Sequence, residues 1–349
     1  MRRKAVTIRD VAKKAGVGVS TVSYVLNGND DHVGPGTREQ ILAVVRELNY
    51  RPNAIARSMV KQKTATIGLI INELSNPLFV PVTEGVEAVL KTQGYQIILA
   101  SANDIEAEIS AIETLRAQQV DGFIFMSLSV HYPEAHLKRL TEEGVPFVVI
   151  NRDLDDPEIN QIKLDDVGAG QIATQHLIDL GHTRIATISG PMDVRRSAVD
   201  RHQGWLNALE ANGLTVKPEW IVSSLFSYEG GFIAAKQLLS QIQGAADGPT
   251  ALFTANESIA VGALKALQEA GWQVPDDLAL VTIGDPPFAA YTIPALTTLA
   301  LPVVEAGRIG ASILMEWLRE GKPAQPQLIN LGFTLNIRES CGANKRSLS

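Results

Sequence analysis

The sequence predicts an α/β protein that carries a small all-helical segment at its N-terminus. From Thr66 onward, apolar strand-like runs alternate with helical stretches, which is the pattern of stacked βαβ units around parallel sheets. Residues 1–63 instead show helical periodicity and a strong positive charge. They hold twelve Lys/Arg and five Asp/Glu residues, a net of +7, whereas residues 64–349 carry a net charge of −14. A basic head on an acidic body indicates a nucleic-acid-binding module attached to a larger domain.

Composition excludes several classes of protein. No apolar run approaches the roughly 18 residues of a membrane helix, and the charged N-terminus lacks the apolar core of a secretory signal. The single Cys341 can form no internal disulfide, which suits a reducing compartment. The six histidines lack metal-ligand spacing, and no nucleotide-binding or nucleophile-elbow motif occurs. We therefore expect a cytoplasmic protein without a metal, a cofactor or catalytic activity.

The first two predicted helices of the head form a helix-turn-helix. Thr7 and Asp10 make a capping-box-like start, and apolar residues at Ile8 and beyond then recur at i, i+3, i+4 and i+7. A glycine-bearing turn follows at residues 16–18, and a second helix runs from Ser20 to the stop at Asn27. Two short helices around such a turn, in a basic segment, are typical of a motif that places its second helix in the DNA major groove.

A third helix is predicted to close the head. It begins at Thr37, with Gln40 at the capping-box position, and places Ile41, Val44 and Leu48 on its inner side. The base-facing residues of the second helix are then Val19, Ser20, Ser23, Tyr24 and Asn27. The head is predicted to be a compact three-helix domain over residues 1–50.

Longer sequence segments of the head resemble those of a known protein family. They are Thr7-Ile8-Arg9-Asp10-Val11-Ala12-Lys13-Lys14-Ala15-Gly16-Val17, Ser20-Thr21-Val22-Ser23-Tyr24-Val25-Leu26-Asn27, Thr37-Arg38-Glu39 and Asn49-Tyr50-Arg51-Pro52-Asn53. Through these segments the chain resembles the lactose-repressor/galactose-repressor family of bacterial transcription regulators. The resemblance implies operator-DNA contacts by Thr7, Ile8, Val19, Ser20, Thr21, Ser23, Tyr24, Asn27, Thr37, Tyr50, Asn53, Ala56 and Met59.

In that family the segment matching residues 53–60 is a hinge helix that lies in the minor groove. By position Met59 is the apolar wedge, and Ala56 allows close approach to the groove floor. The alternative is that Met59 only packs within the linker. So short a helix is marginal in water, so DNA and a partner hinge would order it. The hinge and linker are predicted over residues 51–63.

The larger domain is predicted over residues 64–340, with a polar tail at 341–349. The strand-like runs are 67–71, 96–100, 122–126, 147–150, 185–189, 251–254 and 279–283. The alternation runs twice, which predicts two doubly wound lobes: the first from about 64–164 plus 291–325, and the second from about 165–290 plus 326–340. The run near 296–299 and the helix after it are expected to return to the first lobe. Parallel sheets bind ligands beyond the carboxyl ends of their strands, so facing lobes predict a binding cleft.

The family resemblance extends over this domain. The matching segments here are Val120-Asp121-Gly122, Leu180-Gly181-His182, Asn256-Glu257-Ser258-Ile259-Ala260-Val261-Gly262-Ala263 and Pro294-Ala295-Leu296-Thr297-Thr298. They imply a periplasmic-binding-protein-like fold that holds a small effector between its lobes. The implied effector residues are Leu78, Phe79, Met126, Ser127, Asn151, Arg152, Arg195, Ser197, Arg201, Phe226, Asn256 and Asp285.

Several of these assignments have alternatives. Arg195 could be a solvated cation, Phe226 could be lobe core, and Asn256 could cap the helix that begins at Glu257. Relatives usually present Gly-aromatic-Asp-Asp where this chain has Ile283-Gly284-Asp285-Pro286-Pro287, so Asp285 aligns with the second acid rather than the effector-binding first. Whether Gly284 or Asp285 occupies the effector position stays open.

The sequence leaves the effector and the sign of its action open. Most relatives respond to a sugar that induces, whereas the arginine spacing at 195 and 201 resembles that of purine repressors and leans to corepression, and some relatives use a protein coregulator. An enzyme or a free solute-binding protein on the same scaffold is the remote alternative. The chain ends soon after Ile337-Arg338 and no heptad helix follows, so we expect a homodimer on a pseudo-palindromic operator.

Overall fold

The computed structural model describes residues 6–28, 31–50, 63–72, 74, 76–126, 135–152, 154, 156–193, 195–242, 247–323 and 327–343. The chain divides into two compact units, Met1–Ala65 and Thr66–Ser349. No helix in these ranges is long and apolar enough to cross a membrane.

The first unit is a three-helix head. Its helices are α1 (Ile8–Ala15), α2 (Val19–Leu26) and α3 (Pro35–Glu47). Apolar residues at helical spacing bury one face of each, and Val11, Val22 and Ile41 have no exposed surface. α1 ends at Gly16, whose φ of 63° is the left-handed conformation that glycine adopts without strain. The predicted helix-turn-helix is confirmed.

The start of α3 differs from the sequence prediction. The helix begins at Pro35, two residues before Thr37, because proline at the first helical position has no N–H that needs a partner. Gln40 therefore lies too far into the helix to cap it. Its amide instead donates a hydrogen bond to the Ala15 carbonyl at 3.2 Å, which ties α3 to the end of α1.

The second unit contains two parallel sheets with helices on both faces. The first sheet has the order β11-β5-β4-β3-β1-β2. Its strands are β1 (Thr66–Ile71), β2 (Gln96–Ser101), β3 (Gly122–Met126), β4 (Phe147–Ile150), β5 (Gln161–Leu164) and β11 (Leu328–Leu331). One face carries α4 (Phe79–Thr92) and α11 (Val303–Glu320), and the other carries α5 (Ile105–Ala117) and α6 (Ala135–Glu142).

The second sheet has the order β12-β10-β9-β8-β6-β7. Its strands are β6 (Ile185–Ser189), β7 (Ile221–Ser223), β8 (Ala251–Thr254), β9 (Ala279–Ile283), β10 (Thr297–Ala300) and β12 (Thr334–Asn336), and β12 alone of these pairs antiparallel. One face carries α7 (Asp166–Asp179) and α8 (Arg196–Ala211), and the other carries α9 (Tyr228–Ile242) and α10 (Glu257–Glu269). The predicted fold class, a helical head plus two doubly wound lobes, is confirmed.

The C-terminal crossings between the lobes differ from the sequence prediction. Strand β10 pairs with β9 in the second sheet, so 297–300 does not belong to the first lobe, whereas α11 does pack on it. Strand β11 extends the first sheet beside β5 instead of the second. The chain thus crosses between lobes after β10 and again after β11.

The predicted polar tail also begins later than expected. Cys341 is buried in the core of the second lobe, and Ala343 packs against the same cluster. The Ser340 hydroxyl donates to the Leu280 carbonyl at 2.7 Å and accepts from the Thr297 backbone N–H at 2.8 Å. The larger domain therefore continues at least through residue 343.

Candidate effector cleft and DNA-recognition surface

A cavity of about 240 Å³ lies between the two lobes, where strands of both sheets end. Loops after β1 and β4 supply its wall from the first lobe, and loops after β6, β7, β8, β9 and β10 supply it from the second. Its lining residues are Asn72, Asn76, Leu78, Phe79, Asn151, Pro191, Arg195, Ser197, Arg201, Leu225, Phe226, Ser227, Asn256, Glu257, Gly284 and Leu301. Amide, hydroxyl and guanidinium groups beside apolar side chains are typical of a small-molecule site.

Arg201 is the most constrained charged residue of this wall. It is 5% exposed, its Nε donates to Oδ1 of Asp166 at 2.7 Å, and its Nη1 donates to the Ala255 carbonyl at 2.8 Å. Burial raises the pKa of Asp166, while the facing Arg201 guanidinium and the Asn151 amide offset part of that rise. The ion pair therefore joins α7 and α8 to the end of β8 and fixes the guanidinium in place.

Close packing of α7 against α8 brings these two residues together. A Cβ atom on Gly170 would lie 2.2 Å from the Arg201 backbone oxygen, and one on Gly204 would lie 2.1 Å from the Val167 oxygen. Only hydrogen at both positions lets the two helix backbones approach this closely. The two glycines thus set the distance over which Arg201 reaches Asp166.

The start of α10 supplies a second polar cluster. The Asn256 side chain accepts a hydrogen bond from the Ile259 N–H at 3.0 Å, so it caps the helix and also lines the cavity. Glu257 follows it as the first helical residue and is 4% exposed. Burial raises the pKa of Glu257 to about 7, and a backbone hydrogen bond and Arg201 oppose the rise.

Eight of the twelve sequence-predicted effector residues line this cavity. They are Leu78, Phe79, Asn151, Arg195, Ser197, Arg201, Phe226 and Asn256. Ser127 lies outside the described residues. Met126 is buried within β3, in the core between sheet and helices, and does not reach the cavity.

Arg152 and Asp285 are the two predicted polar residues that turn away from the cavity. The chain turns at Asn151, whose φ of 53° is left-handed, so Asn151 lines the cavity while Arg152 reaches Glu108. The Arg152 Nη1 donates to Glu108 Oε1 at 3.0 Å, and His136 contacts the same oxygen.

Asp285 forms an ion pair behind the cleft wall. Its two oxygens accept from Arg338 at 2.7 and 3.1 Å, from Thr298 at 2.8 Å and from Asn336 at 2.7 Å. Burial alone would raise the pKa of Asp285, but these hydrogen bonds hold it below its usual value. The carboxylate thus connects β9, β10 and β12 rather than facing the cavity, and Gly284 lies at the cavity wall instead.

Sequence reasoning missed several polar residues of the wall. Asn72 and Asn76 follow β1 in the segment where Leu78 and Phe79 were predicted, so their position beyond a strand end was the available signal. The Oδ1 atom of buried Asn72 has no hydrogen-bond partner among the described residues. Glu257 was named only as a helix start, because an acid in a first helical turn is an ordinary feature.

The head presents α2 as an exposed recognition surface. Val19 is 42% and Tyr24 is 55% exposed, and Ser20 is also exposed. Asn27 is exposed too, but its amide donates to the Ser23 carbonyl at 2.7 Å and so closes the last turn of α2. The exposed face of α2 thus offers apolar, aromatic and hydroxyl groups that suit contact with base edges.

The remaining predicted DNA contacts divide into four groups. Thr21, Ser23 and Thr37 are half-buried at the edges of that surface, whereas Ile8 and Tyr50 pack partly against the head core. The Thr7 hydroxyl and N–H both donate to Asp10, at 2.7 and 2.8 Å, so Thr7 caps α1. Asn53, Ala56 and Met59 lie outside the described residues.

Fold and site together define a transcriptional regulator: a helix-turn-helix head on a two-lobed, ligand-binding domain. The model of the lacI family of bacterial regulatory proteins matches residues 7–53, and that of the periplasmic binding protein-like domain matches residues 174–341. The chain is 35% identical to the ribose operon repressor of Escherichia coli strain K12, over 92% of this chain and 96% of the relative. The chain belongs to the lacI family.

Two solved structures extend the comparison. The transcriptional regulator CelR–cellobiose complex is 32% identical, with a TM-score of 0.71 over 96% of this chain and 99% of that chain. The lac repressor dimer bound to operator and the anti-inducer ONPF is 28% identical, with a TM-score of 0.84 over 97% and 99%. The protein is thus an effector-controlled, operator-binding transcriptional regulator and not an enzyme.

Proposed function

We propose that this protein is a homodimeric repressor in the cytoplasm that responds to a small neutral sugar held between its lobes. The observation that carries the proposal is the inter-lobe cavity, with its amide, hydroxyl and guanidinium lining. Sugars present dense hydroxyl groups that both donate and accept, and they also present an apolar ring face. A mixed wall of this kind satisfies both.

The size of the cavity supports a small ligand. About 240 Å³ lies below the roughly 300–1,000 Å³ that is usual for drug-sized molecules. Phe79 and Phe226 supply flat apolar surface for a ring face, and Asn72, Asn151 and Ser197 supply neutral hydrogen-bonding groups. This set favours a small sugar; ribose is named for one similar protein, and cellobiose, a disaccharide, for another.

A purine corepressor is the alternative suggested by the arginine spacing. A free guanidinium fork could bind a purine carbonyl or a carboxylate. The Arg201 fork, however, already donates to Asp166 and to the Ala255 carbonyl, so it presents only its remaining donors to a ligand. This arrangement favours single hydroxyl contacts over bidentate recognition.

On DNA, we assign base reading to α2 and phosphate contacts to basic residues around it. Ser20 and Tyr24 lie on its exposed face, and Arg9, Lys13 and Arg38 are exposed basic residues of the same head. A single head buries little DNA, so two heads on a pseudo-palindrome supply the required contacts. Effector binding then changes the angle between the lobes and shifts the operator affinity.

A two-part experiment tests this function. Duplexes enriched from a random library by the intact protein give the operator, and a thermal-shift screen with neutral sugars, sugar phosphates and purines gives the effector class. We expect salt-sensitive, sequence-preferring binding and stabilisation by a neutral sugar. Binding without sequence preference would refute the repressor assignment, and stabilisation by a purine alone would replace the sugar.

A further inference from the structure

Glu257 provides a carboxylate for which the described protein offers no side-chain partner. Of the described residues that line the cavity it is the only acid. Among those residues, no side chain donates a hydrogen bond to it, in contrast to Asp285, whose oxygens accept from three side chains. A buried carboxylate costs free energy unless donors satisfy it, so an acceptor facing a cavity indicates a ligand that brings donors.

Gly284 makes the room that this carboxylate occupies. A Cβ atom on Gly284 would lie 2.1 Å from Oε2 of Glu257, far inside van der Waals contact. The backbone of Gly284 also has a φ of 95°, a conformation that residues with a side chain rarely adopt. Spatially, the acid from the start of α10 fills the place that a side chain on the loop after β9 would take.

The surroundings of Glu257 determine which ligands suit it. Arg195 and Arg201 lie on the same cavity wall, and the Arg201 guanidinium bonds the carbonyl two residues before Glu257. One wall therefore offers both an acceptor and donors to adjacent hydroxyl groups of one ligand. An anionic group placed there would meet the Glu257 carboxylate in a poorly solvated site, where like charges repel strongly.

We propose that Glu257, for which Gly284 leaves the room, is the carboxylate that accepts hydrogen bonds from the hydroxyl groups of the effector. This carboxylate makes the cleft select a neutral polyhydroxyl ligand over its phosphorylated form. The inference rests on the proposed sugar-responsive function and adds to it a specificity-determining residue. The family resemblance implies an acid on the loop after β9 instead, but Asp285 there is paired with Arg338.

The raised pKa of Glu257 gives an additional readout. Donors on a ligand favour the ionised carboxylate, so binding is expected to strengthen by about tenfold between pH 6 and pH 8, as the group with a pKa of about 7 ionises. The charged groups on the facing elements are Arg195, Arg201, Asp166, which is paired with Arg201, and Asp285, which is paired with Arg338. If Glu257 had only a structural role, the ligand affinity would not depend on pH in this way.

The experiment uses the intact protein with D-ribose, D-glucose and cellobiose, and with ribose 5-phosphate and glucose 6-phosphate as anionic counterparts. A thermal-shift screen selects the tightest probe, and calorimetry then gives its dissociation constant at pH 6 and pH 8. Glu257→Gln is nearly isosteric and should weaken binding at pH 8 by about 10- to 100-fold and remove the pH dependence. Glu269→Gln, on the exposed end of the same helix, is the matched control and should change the affinity less than about twofold.

A second variant keeps the test valid if Glu257→Gln folds poorly. Glu257→Asp retains the charge but shortens its reach by one methylene, and it too should bind at least about tenfold more weakly. Equal affinity of either variant and the wild type would overturn the inference while leaving a sugar-responsive regulator intact. Tighter binding of a sugar phosphate would overturn it as well. Absence of any sugar-induced shift in the wild type would overturn both the inference and the proposed sugar effector, whereas operator binding would still stand.

Discussion

The guanidinium of Arg201 and the carboxylate of Asp166 form a buried ion pair, with Nε and Oδ1 separated by 2.7 Å. Both side chains are almost fully buried, and the same guanidinium also bonds the Ala255 carbonyl. The pair links two helices of the second lobe to the strand end beside the cavity. Removing one partner leaves the other charge buried alone, which costs more than the pair itself contributes.

Arg201→Ala should therefore destabilise the protein strongly. We expect the free energy of unfolding to fall by about 3–5 kcal/mol, because Asp166 remains buried without its partner. Arg196→Ala is the matched control: it breaks an exposed ion pair with Asp200 one turn earlier and should cost less than about 1 kcal/mol. Urea denaturation measures both, and equal losses would contradict the role assigned to Arg201.

The raised pKa of Glu257 predicts a stability that depends on pH. Its folded pKa of about 7 lies above the usual 4.5, so the folded protein binds the proton more tightly than the unfolded chain. This contribution to stability is complete below about pH 4.5 and is lost as the pH rises through about 7. Glu257→Gln should flatten that part of the stability profile and be more stable than the wild type at pH 8.

Chemical denaturation between about pH 5 and pH 8 checks this prediction. Glu269→Gln is the control, because its carboxylate is exposed and its pKa is lowered by Lys236 and Lys265, so its effect falls at lower pH. Profiles of identical slope for the wild type and Glu257→Gln would show that Glu257 does not titrate in this range.

Close packing of α7 on α8 gives a third prediction. Gly170→Ala places a Cβ where the Arg201 backbone oxygen lies at 2.2 Å, so the helices must separate and the free energy of unfolding should fall by about 1–3 kcal/mol. Gly332→Ala adds the same methyl group at a position with no atom within 4 Å and should be close to neutral. Thermal unfolding compares the two, and a neutral Gly170→Ala would contradict the packing argument.

Sequence patterns predicted much of this fold, for an identifiable physical reason. Strands buried on both faces read as continuous apolar runs, so β3, β4, β6, β8 and β9 were predicted with the bounds they have in the structure. Strands β5 and β7 were missed because Gln161–Leu164 and Ile221–Ser223 are short and interrupted by polar residues. Which sheet β10 or β11 joins depends on tertiary packing, which no local sequence pattern predicts.

Part of the site was predictable through the family resemblance. It implied Asn151 and Asn256 for the cleft, and both lie just after a strand, where parallel sheets bind ligands. The direction of Arg152 and Asp285 depends instead on partners far along the chain, since Glu108 and Arg338 satisfy those charges away from the cavity. The local sequence does not predict ion pairs between residues so far apart in the chain.

Tyr24 should contribute to sequence recognition rather than to stability. Its side chain is 55% exposed on α2, so Tyr24→Ala should leave the unfolding temperature nearly unchanged. Affinity for an enriched operator should fall by about 1–3 kcal/mol while non-specific binding changes little. Lys13→Gln should instead weaken all DNA binding and reduce the salt slope by about one unit. Fluorescence anisotropy distinguishes the two effects, and equal losses on all duplexes for Tyr24→Ala would contradict its reading role.

The most direct test of the account is an anisotropy titration of the enriched operator duplex with intact protein, with and without a neutral sugar that stabilises it. We expect specific, salt-sensitive binding whose affinity changes by about 5- to 150-fold when the sugar is present, because the cleft and the head are linked in one equilibrium. We also expect Glu257→Gln to bind the operator normally and to respond only at higher sugar concentration. An operator affinity that stays the same at saturating sugar would contradict the central claim that the cleft controls the head.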